Sequence, residues 1–178
     1  MNRPAARRAD NTRGMSARPA PSEFRVEKRR TDATVTLSTG LSERGCFFVA
    51  GGSPLHDGPE RVGDLLNSEQ AFFPFEIHGA EGIRTVLYNR AHVVTVVVGD
   101  DEASRDPGYG VATQRLVSAL LSNGQRVVGT VRVYRPAGRD RLSDWAVQPE
   151  TFRYIETRDM TIIVNVAHIV EISEVSEL

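Results

Sequence analysis

The chain of 178 residues has very little cysteine and very little lysine, with one residue of each. The single cysteine, Cys46, excludes an internal disulfide, and we expect no Cys-based zinc site. The longest apolar stretch, residues 92–98, falls far short of the roughly 20 residues that a membrane-spanning helix needs. The sequence therefore predicts neither a disulfide-stabilised scaffold nor a transmembrane protein.

The composition is sufficient to build a folded core. Hydrophobic residues make up 40% of the chain and charged residues 25%, a balance typical of globular proteins. A wholly disordered chain would be poorer in apolar residues and richer in charge of one sign. The length suits one domain of ordinary size or two very small ones.

Positive charge is concentrated at the start of the chain. The first 30 residues carry nine basic and three acidic side chains, whereas the remaining residues carry 13 basic and 20 acidic ones. Three prolines before residue 22 oppose a long helix, and this segment has no apolar periodicity. We therefore predict a basic, irregular N-terminal arm over residues 1–29, attached to an acidic body. The arm residues expected to contact a partner are Arg3, Arg7, Arg8, Arg13 and Arg18.

The rest of the chain contains the same pattern twice. Three blocks recur in the same order, with a spacing that changes only from 84 to 80 to 76 residues. The matched blocks are 35–49 with 119–133, 61–72 with 141–152, and 89–94 with 165–170. Loops absorb such small changes in spacing, whereas chance does not reproduce three blocks in order. We predict two repeats, 30–99 and 112–178, joined by an acidic linker, 100–111.

Each repeat has the signature of a small β-structure. An alternating strand, 34–38, is followed by a turn at Gly40 and a second strand. The second repeat has Asn123-Gly124 at the same place, which is a strong hairpin signal. Three further short strands and one helix-like block follow in each repeat. We therefore expect a mainly β chain with two five-stranded barrels, packed as a pseudo-twofold pair.

The repeats resemble the Sm-like small β-barrels in two places. The opening hairpin has the pattern Val-x-Leu-Ser-x-Gly from Val35 to Gly40, and the closing strand has Asn-x-Ala-His-Val-Val from Asn89. The resemblance implies an Sm- or SH3-like barrel in each repeat. It also implies RNA binding as one function, because Sm-like proteins bind uridine-rich RNA. The patterns of the Sm nucleotide pocket, Asp followed by Met-Asn and an Arg-Gly pair before the closing strand, have no counterpart here.

Polar residues that recur in both repeats are the first candidates for a site. Arg and Asp three residues apart suit an ion pair or a helix cap, and an Asn–His pair suits a tight turn into the last strand. Because a duplicated active site rarely keeps both copies intact, we assign these positions structural roles. They are Arg61, Asp64, Asn89 and His92 in the first repeat, and Arg141, Asp144, Asn165 and His168 in the second. Trp145, which follows Asp144 as Leu65 follows Asp64, is a further structural position of the repeat.

No other constellation in the sequence indicates catalysis, a cofactor or a metal ion. His56 and His78 have no His or Cys three or four residues away that would complete a ligand set. Ser53, His56 and Asp57 are triad residue types, but no strained nucleophile turn or oxyanion hole accompanies them. Cys46 lies in a strand pattern and is expected to be buried and inert. We therefore predict a non-enzymatic protein without a cofactor.

Aromatic residues cluster at matching places in the two repeats. Phe72, Phe73 and Phe75 surround Pro74, and Trp145 lies in the corresponding region of the second repeat. A small barrel needs some of these residues in its core, and the others would form a patch that binds a partner. The sequence leaves open which residues belong to which group.

These features favour a non-enzymatic adaptor or accessory subunit that docks on a larger protein assembly through its arm and its barrel faces. We expect a cytoplasmic location, with the cytoplasmic face of a membrane complex, peripheral to the inner membrane, as one setting. The alternative is an Sm-like nucleic-acid-binding regulator that uses the arm as its electrostatic footprint. Glu69 and Glu76 beside the first aromatic cluster disfavour this alternative, since they repel phosphate.

Overall fold

The structure is a computed structural model that describes residues 28–99, 101–136 and 138–176. These residues form a ten-stranded antiparallel sheet with two short α-helices, so the prediction of a mainly β chain is confirmed. The strands are β1 (Lys28–Leu37), β2 (Ser42–Ala50), β3 (Phe72–Gly79), β4 (Gly82–Asn89), β5 (Val93–Val98), β6 (Thr113–Leu121), β7 (Arg126–Val133), β8 (Phe152–Glu156), β9 (Thr161–Asn165) and β10 (Ile169–Glu174). The helices are α1 (Val62–Leu66) and α2 (Leu142–Ala146), with 3₁₀ turns at Arg90–His92, Ala103–Arg105 and Val166–His168. No helix in this part of the chain is long and apolar enough to cross a membrane.

The two halves of the sheet use the same strand order. Across the sheet the first half runs β5-β1-β2-β3-β4, and the second half runs β10-β6-β7-β8-β9. Since β6 to β10 follow one another along the chain as β1 to β5 do, each strand has an equivalent in the same place in the other half. The helices are also equivalent, because α1 precedes β3 and α2 precedes β8.

The sheet does not close into a barrel, and the expected pairing of two Sm- or SH3-like barrels about a pseudo-twofold axis is not confirmed. Closing the first barrel would require β4 to pair with β5, but β5 pairs with β9, with Thr95 opposite Val164 and Val98 opposite Thr161. A twofold axis would also pair β10 with β4, the equivalents of β5 and β9, but these two strands lie at opposite edges of the sheet. The joint is therefore head-to-tail, and it produces one open sheet with β4 and β10 at its edges.

The place of each strand in the sheet explains why equivalent strands differ in sequence. β5 reads VVTVVV and is almost wholly buried, because it lies where the two halves join and its side chains enter both hydrophobic cores. Its equivalent β10 reads IVEISE and is largely exposed, because it is an edge strand, where charge opposes aggregation. The same contrast separates the mostly buried β9, TIIVN, from the largely exposed β4, GIRTVLYN.

Two glycines at equivalent positions allow neighbouring strands to approach closely. A Cβ atom on Gly45 would lie 1.9 Å from the carbonyl oxygen of Glu76, and one on Gly129 would lie 2.5 Å from that of Glu156. No side chain fits at such distances, so each half of the sheet requires glycine where β2 or β7 meets the next strand. The recurrence of this glycine in both repeats thus has a steric cause.

The structure assigns each aromatic residue to the core or to the surface. Phe73 and Phe75 lie in the first core, with ring centroids 5.3 and 5.0 Å from that of Phe47. Trp145 is 3% exposed and lies in the second core. Phe72 is 52% exposed, because alternation along β3 turns it away from the core that Phe73 enters.

Replacing Trp145 by Ala should lower the free energy of unfolding by about 3–5 kcal/mol, because the change leaves a cavity in the second core. Urea unfolding of the full chain measures this difference. Val147→Ala is the matched control, since Val147 is 75% exposed just after α2, and it should change stability by less than about 0.5 kcal/mol. An equally small effect at Trp145 would contradict its assignment to the core.

Candidate functional site

The recurring Arg–Asp pairs lie at the starts of the two α-helices. The backbone N–H of Arg61 donates to Asp64 Oδ2, and that of Arg141 donates to Asp144 Oδ2, each at 3.0 Å. Each carboxylate thus holds the chain at the entrance to its helix. In the first repeat the Arg61 guanidinium also pairs with Asp64 at 2.8 Å, whereas Arg141 is exposed. These contacts are local to the helix starts, and the structural role assigned to the four residues stays a prediction.

Asp64 is the centre of a larger charged cluster. His56 Nε2 lies 2.7 Å from Asp64 Oδ2, and Arg61 reaches Asp106 of the linker at 2.6 Å. Burial alone would raise the pKa of Asp64, but hydrogen bonds from Arg61 and His56 hold that pKa below its ordinary value. The hydrogen bond to Asp64 in turn raises the pKa of His56. The cluster ties the loop before α1 and the linker to the start of the helix.

The acidic linker is more closely packed than its composition suggests. Glu102 is 2% exposed and accepts a hydrogen bond from the backbone N–H of Val62, the first residue of α1, at 2.5 Å. Arg105 pairs with Glu102 at 3.3 Å, and burial raises the pKa of this glutamate. The acidic linker is therefore not wholly exposed, because Glu102 joins it to the first repeat.

The recurring Asn–His pairs shape the turn before the last strand of each repeat. The asparagine oxygen accepts a hydrogen bond from the N–H two residues later, and the histidine Nδ1 contacts a serine hydroxyl. The residues are Asn89, His92 and Ser38 in the first repeat, and Asn165, His168 and Ser122 in the second. A turn built from the same three residue types explains why these positions recur.

The second copy of this turn also joins the two repeats. Asn165 Nδ2 donates to the carbonyl oxygen of Val93 at 2.9 Å, and His168 Nε2 lies 3.0 Å from that of Ala91. Because a carbonyl oxygen only accepts, Nε2 of His168 carries the proton. In the first copy, Asn89 Nδ2 and His92 Nε2 have no hydrogen-bond partner among the described residues. The Asn–His pair of the second repeat therefore makes hydrogen bonds to the first repeat. The equivalent atoms of the Asn–His pair in the first repeat make none with the described residues.

A cavity of about 420 Å³ lies between α1, α2 and β8. Three of its arginines are already paired: Arg61 and Arg132 contact carboxylates, and Arg153 donates to the carbonyl oxygen of Gln148, two residues after α2. A fourth, Arg135, is exposed at the cavity. The buried hydroxyl of Tyr154 lies against Gly63, where a side chain on that residue would lie. These contacts are those of a packed junction between the repeats.

The surface that most resembles a binding site is the outer face of β3 and β4. Among the described residues β4 pairs only with β3, so its other side is open. Phe72 on β3 is 52% exposed, and Ile83 and Leu87 on β4 are 66% and 67% exposed. The register of the two strands places all three on one face. We call these three residues the apolar strip and take it as the candidate interaction surface.

Cys46 is buried, as expected, but its thiol has polar neighbours. The Sγ atom lies 3.7 Å from Glu76 Oε1, and His78 Nε2 lies 3.1 Å from the same oxygen. The register places Cys46 opposite Glu76, and His78 is two residues further along β3, on the same face. A search for histidine partners at helical spacing misses this grouping, because strands bring residues together at a spacing of two and across the sheet.

Neither the N-terminal arm nor known proteins add evidence about function. The five arginines predicted to contact a partner, Arg3, Arg7, Arg8, Arg13 and Arg18, lie outside the described residues. Comparisons with protein-family models, with curated proteins and with solved structures find no match to this chain. The candidate site is therefore defined by the apolar strip and by the group around Cys46.

His56→Ala should lower the free energy of unfolding more in acid than in alkali. Because the pKa of folded His56 is raised, its contribution to stability is complete below its unfolded pKa of about 6.5 and is lost as pH rises through the folded value. Urea unfolding at about pH 5.5 and about pH 8.5 measures the difference from the wild type. Leu55→Ala, in the same loop and 73% exposed, is the control. A loss of stability in His56→Ala that is larger at the higher pH would contradict the pairing of His56 with Asp64.

Proposed function

We propose that the chain is a non-enzymatic adaptor or accessory subunit that docks on a larger protein assembly through the β4 edge. The apolar strip carries this proposal, because two large apolar side chains lie exposed on the open strand β4 and a third lies on the neighbouring β3. Burying apolar area against a partner would stabilise the complex by roughly 25 cal/mol per Å². The unpaired backbone N–H and C=O groups of β4 would stabilise the complex further by forming directional hydrogen bonds with the partner.

The joint within the chain supports the choice of this edge. β9 pairs with β5 through its backbone, while Asn165 and His168 hold the adjoining turn of the first repeat. β4 is the equivalent of β9, and the equivalent side-chain atoms of Asn89 and His92 are without partners among the described residues. A strand of a partner protein lying along β4 would reproduce this joint, and the apolar strip would select the partner.

The N-terminal arm adds a second contact to the proposal. Its arginines suit carboxylates on an acidic partner or phosphates at a membrane surface. A cytoplasmic location, on the cytoplasmic face of a membrane complex and peripheral to the inner membrane, belongs to the same proposal. An Sm-like nucleic-acid-binding regulator is the alternative. Salt distinguishes the two functions, because phosphate contacts weaken steeply as the salt concentration rises.

Leu87→Glu should reduce the amount of partner protein that co-purifies with the full chain by about tenfold or more, because a charge would enter an apolar contact. The measurement is purification of the untagged protein from its own cells at about 0.5 M salt, followed by quantitative mass spectrometry. Val170→Glu, at a 66% exposed position on β10, is the matched control and should retain the partner.

Equal retention in both variants would contradict docking at β4. Recovery of further copies of this chain alone would identify the partner as a second copy. Nucleic acid that co-purifies and is lost as salt rises would favour the Sm-like alternative instead.

Deleting residues 1–22 should leave the melting temperature unchanged and weaken association with the partner. The reason is that this segment has too few apolar residues to contribute to a core, while its arginines are suited to partner contacts. Thermal unfolding and co-purification of the truncated chain measure the two effects separately. A large fall in melting temperature would show that the arm is part of the folded body.

A further inference from the structure

We propose that Cys46, Glu76 and His78 form a binding site for a divalent transition-metal ion, with Zn²⁺ as the best fit. The three side chains offer a sulfur, a carboxylate oxygen and an imidazole nitrogen, and these ligand atoms all lie within 4.8 Å of one another. Sulfur and imidazole ligands select zinc over magnesium or calcium, which prefer oxygen alone. This inference is independent of the proposed adaptor function.

The distances already approach those of a tetrahedral site. Bonds of about 2.0–2.3 Å to oxygen, nitrogen and sulfur place neighbouring ligand atoms about 3.3–3.6 Å apart around a tetrahedral Zn²⁺. His78 Nε2 lies 3.1 Å from Glu76 Oε1, and Cys46 Sγ lies 3.7 Å from the same oxygen. Small side-chain adjustments would therefore complete three corners of the tetrahedron. The fourth corner is left for a water molecule, as in zinc sites with three protein ligands.

The charge balance of the site also suits a divalent ion. Binding replaces the thiol proton of Cys46, which passes to the solvent, so that the thiolate and the Glu76 carboxylate neutralise Zn²⁺. Arg30 contacts the Glu76 carboxylate and is the competing cation. Its side chain is 54% exposed, so it has room to move into solvent when the metal ion binds. His78 is 42% exposed and marks the side from which the ion enters.

The second repeat provides an internal comparison. Glu156 is the equivalent of Glu76, and it pairs with Thr130 across the strands as Glu76 pairs with Cys46. Arg158 is at the position that matches His78 by the 80-residue spacing, and it lies after the end of β8. There the glutamate is held by Arg132 and by the Tyr109 hydroxyl, each at 2.6 Å. The acidic residue is thus common to both repeats, whereas the sulfur and nitrogen ligands occur together only beside Glu76.

The site lies between β2 and β3, the neighbouring strands of the first repeat that share the fewest paired residues. β2 and β3 are paired only at Gly45 with Ile77 and at Cys46 with Glu76, whereas β3 and β4 are paired along their whole length. A metal ion bound by Cys46 of β2 and by both ligands of β3 would hold these strands together. We therefore assign the ion a structural role, and thermal stability becomes a readout of binding.

The test uses the full chain, treated with a chelator and dialysed, and titrated first with Co²⁺ and then with Zn²⁺. We expect one equivalent of Co²⁺ to bind with a thiolate-to-cobalt absorption band, and Zn²⁺ to abolish that band by displacement. Cys46→Ser, Glu76→Gln and His78→Asn should each weaken Zn²⁺ binding on the order of 100-fold. His92→Asn, which replaces another exposed histidine of the first repeat, should leave the affinity unchanged.

Two further measurements separate metal binding from a general loss of structure. Zn²⁺ at about 100 times its dissociation constant should raise the melting temperature of the wild type by about 5–10 °C, and it should not raise that of His78→Asn. Arg30→Gln should tighten Zn²⁺ binding several-fold, the opposite of the ligand variants, because it removes the competing cation. The proposal is overturned if the cobalt complex lacks the thiolate band, or if the wild type binds Zn²⁺ no more tightly than His78→Asn.

Discussion

The antiparallel pairing of β5 with β9 is the contact on which the rest of the structure depends. It joins the two repeats head-to-tail, with Thr95 opposite Val164, and so places β5 and β9 in the middle of the sheet. It also leaves β4 and β10 as edges. β5 and β9 each place side chains in both cores, whereas the edge strands β4 and β10 are largely exposed, and the sequences of these four strands differ accordingly.

The same joint gives duplicated residues different surroundings. Asn165 and His168 bind the first repeat, whereas Asn89 and His92 keep the corresponding atoms without partners among the described residues. Asp64 gathers His56 and the linker around α1, while Asp144 keeps the contact with the backbone of the residue that precedes its helix. In a head-to-tail arrangement the two repeats have different neighbours, because no symmetry relates their surroundings. Each motif therefore shapes the same turn or helix start in both repeats, but its contacts beyond that turn or helix differ.

The features that point to function both lie on the outer face of the first repeat. The apolar strip follows β3 and β4 towards the open edge, and Cys46, Glu76 and His78 occupy neighbouring positions on β2 and β3. The strip is suited to a protein partner because it is apolar and adjoins unpaired backbone groups. The group around Cys46 is suited to a metal ion because it combines sulfur, nitrogen and oxygen. The two are adjacent and chemically distinct.

The sequence by itself determined the features that depend on neighbours along the chain. The turns at Gly40 and Gly124, with φ of 87° and 82°, the Asp at the third position of each helix and the Asn–His turns are local, so their spacing predicts them. Only the tertiary structure decided whether β5 closes its own repeat or pairs with β9, because the edges compete for the same backbone hydrogen bonds. It also decided the proximity of Cys46 and Glu76, which are 30 residues apart in sequence. The register between β2 and β3 sets that proximity, and no periodicity within either strand encodes it.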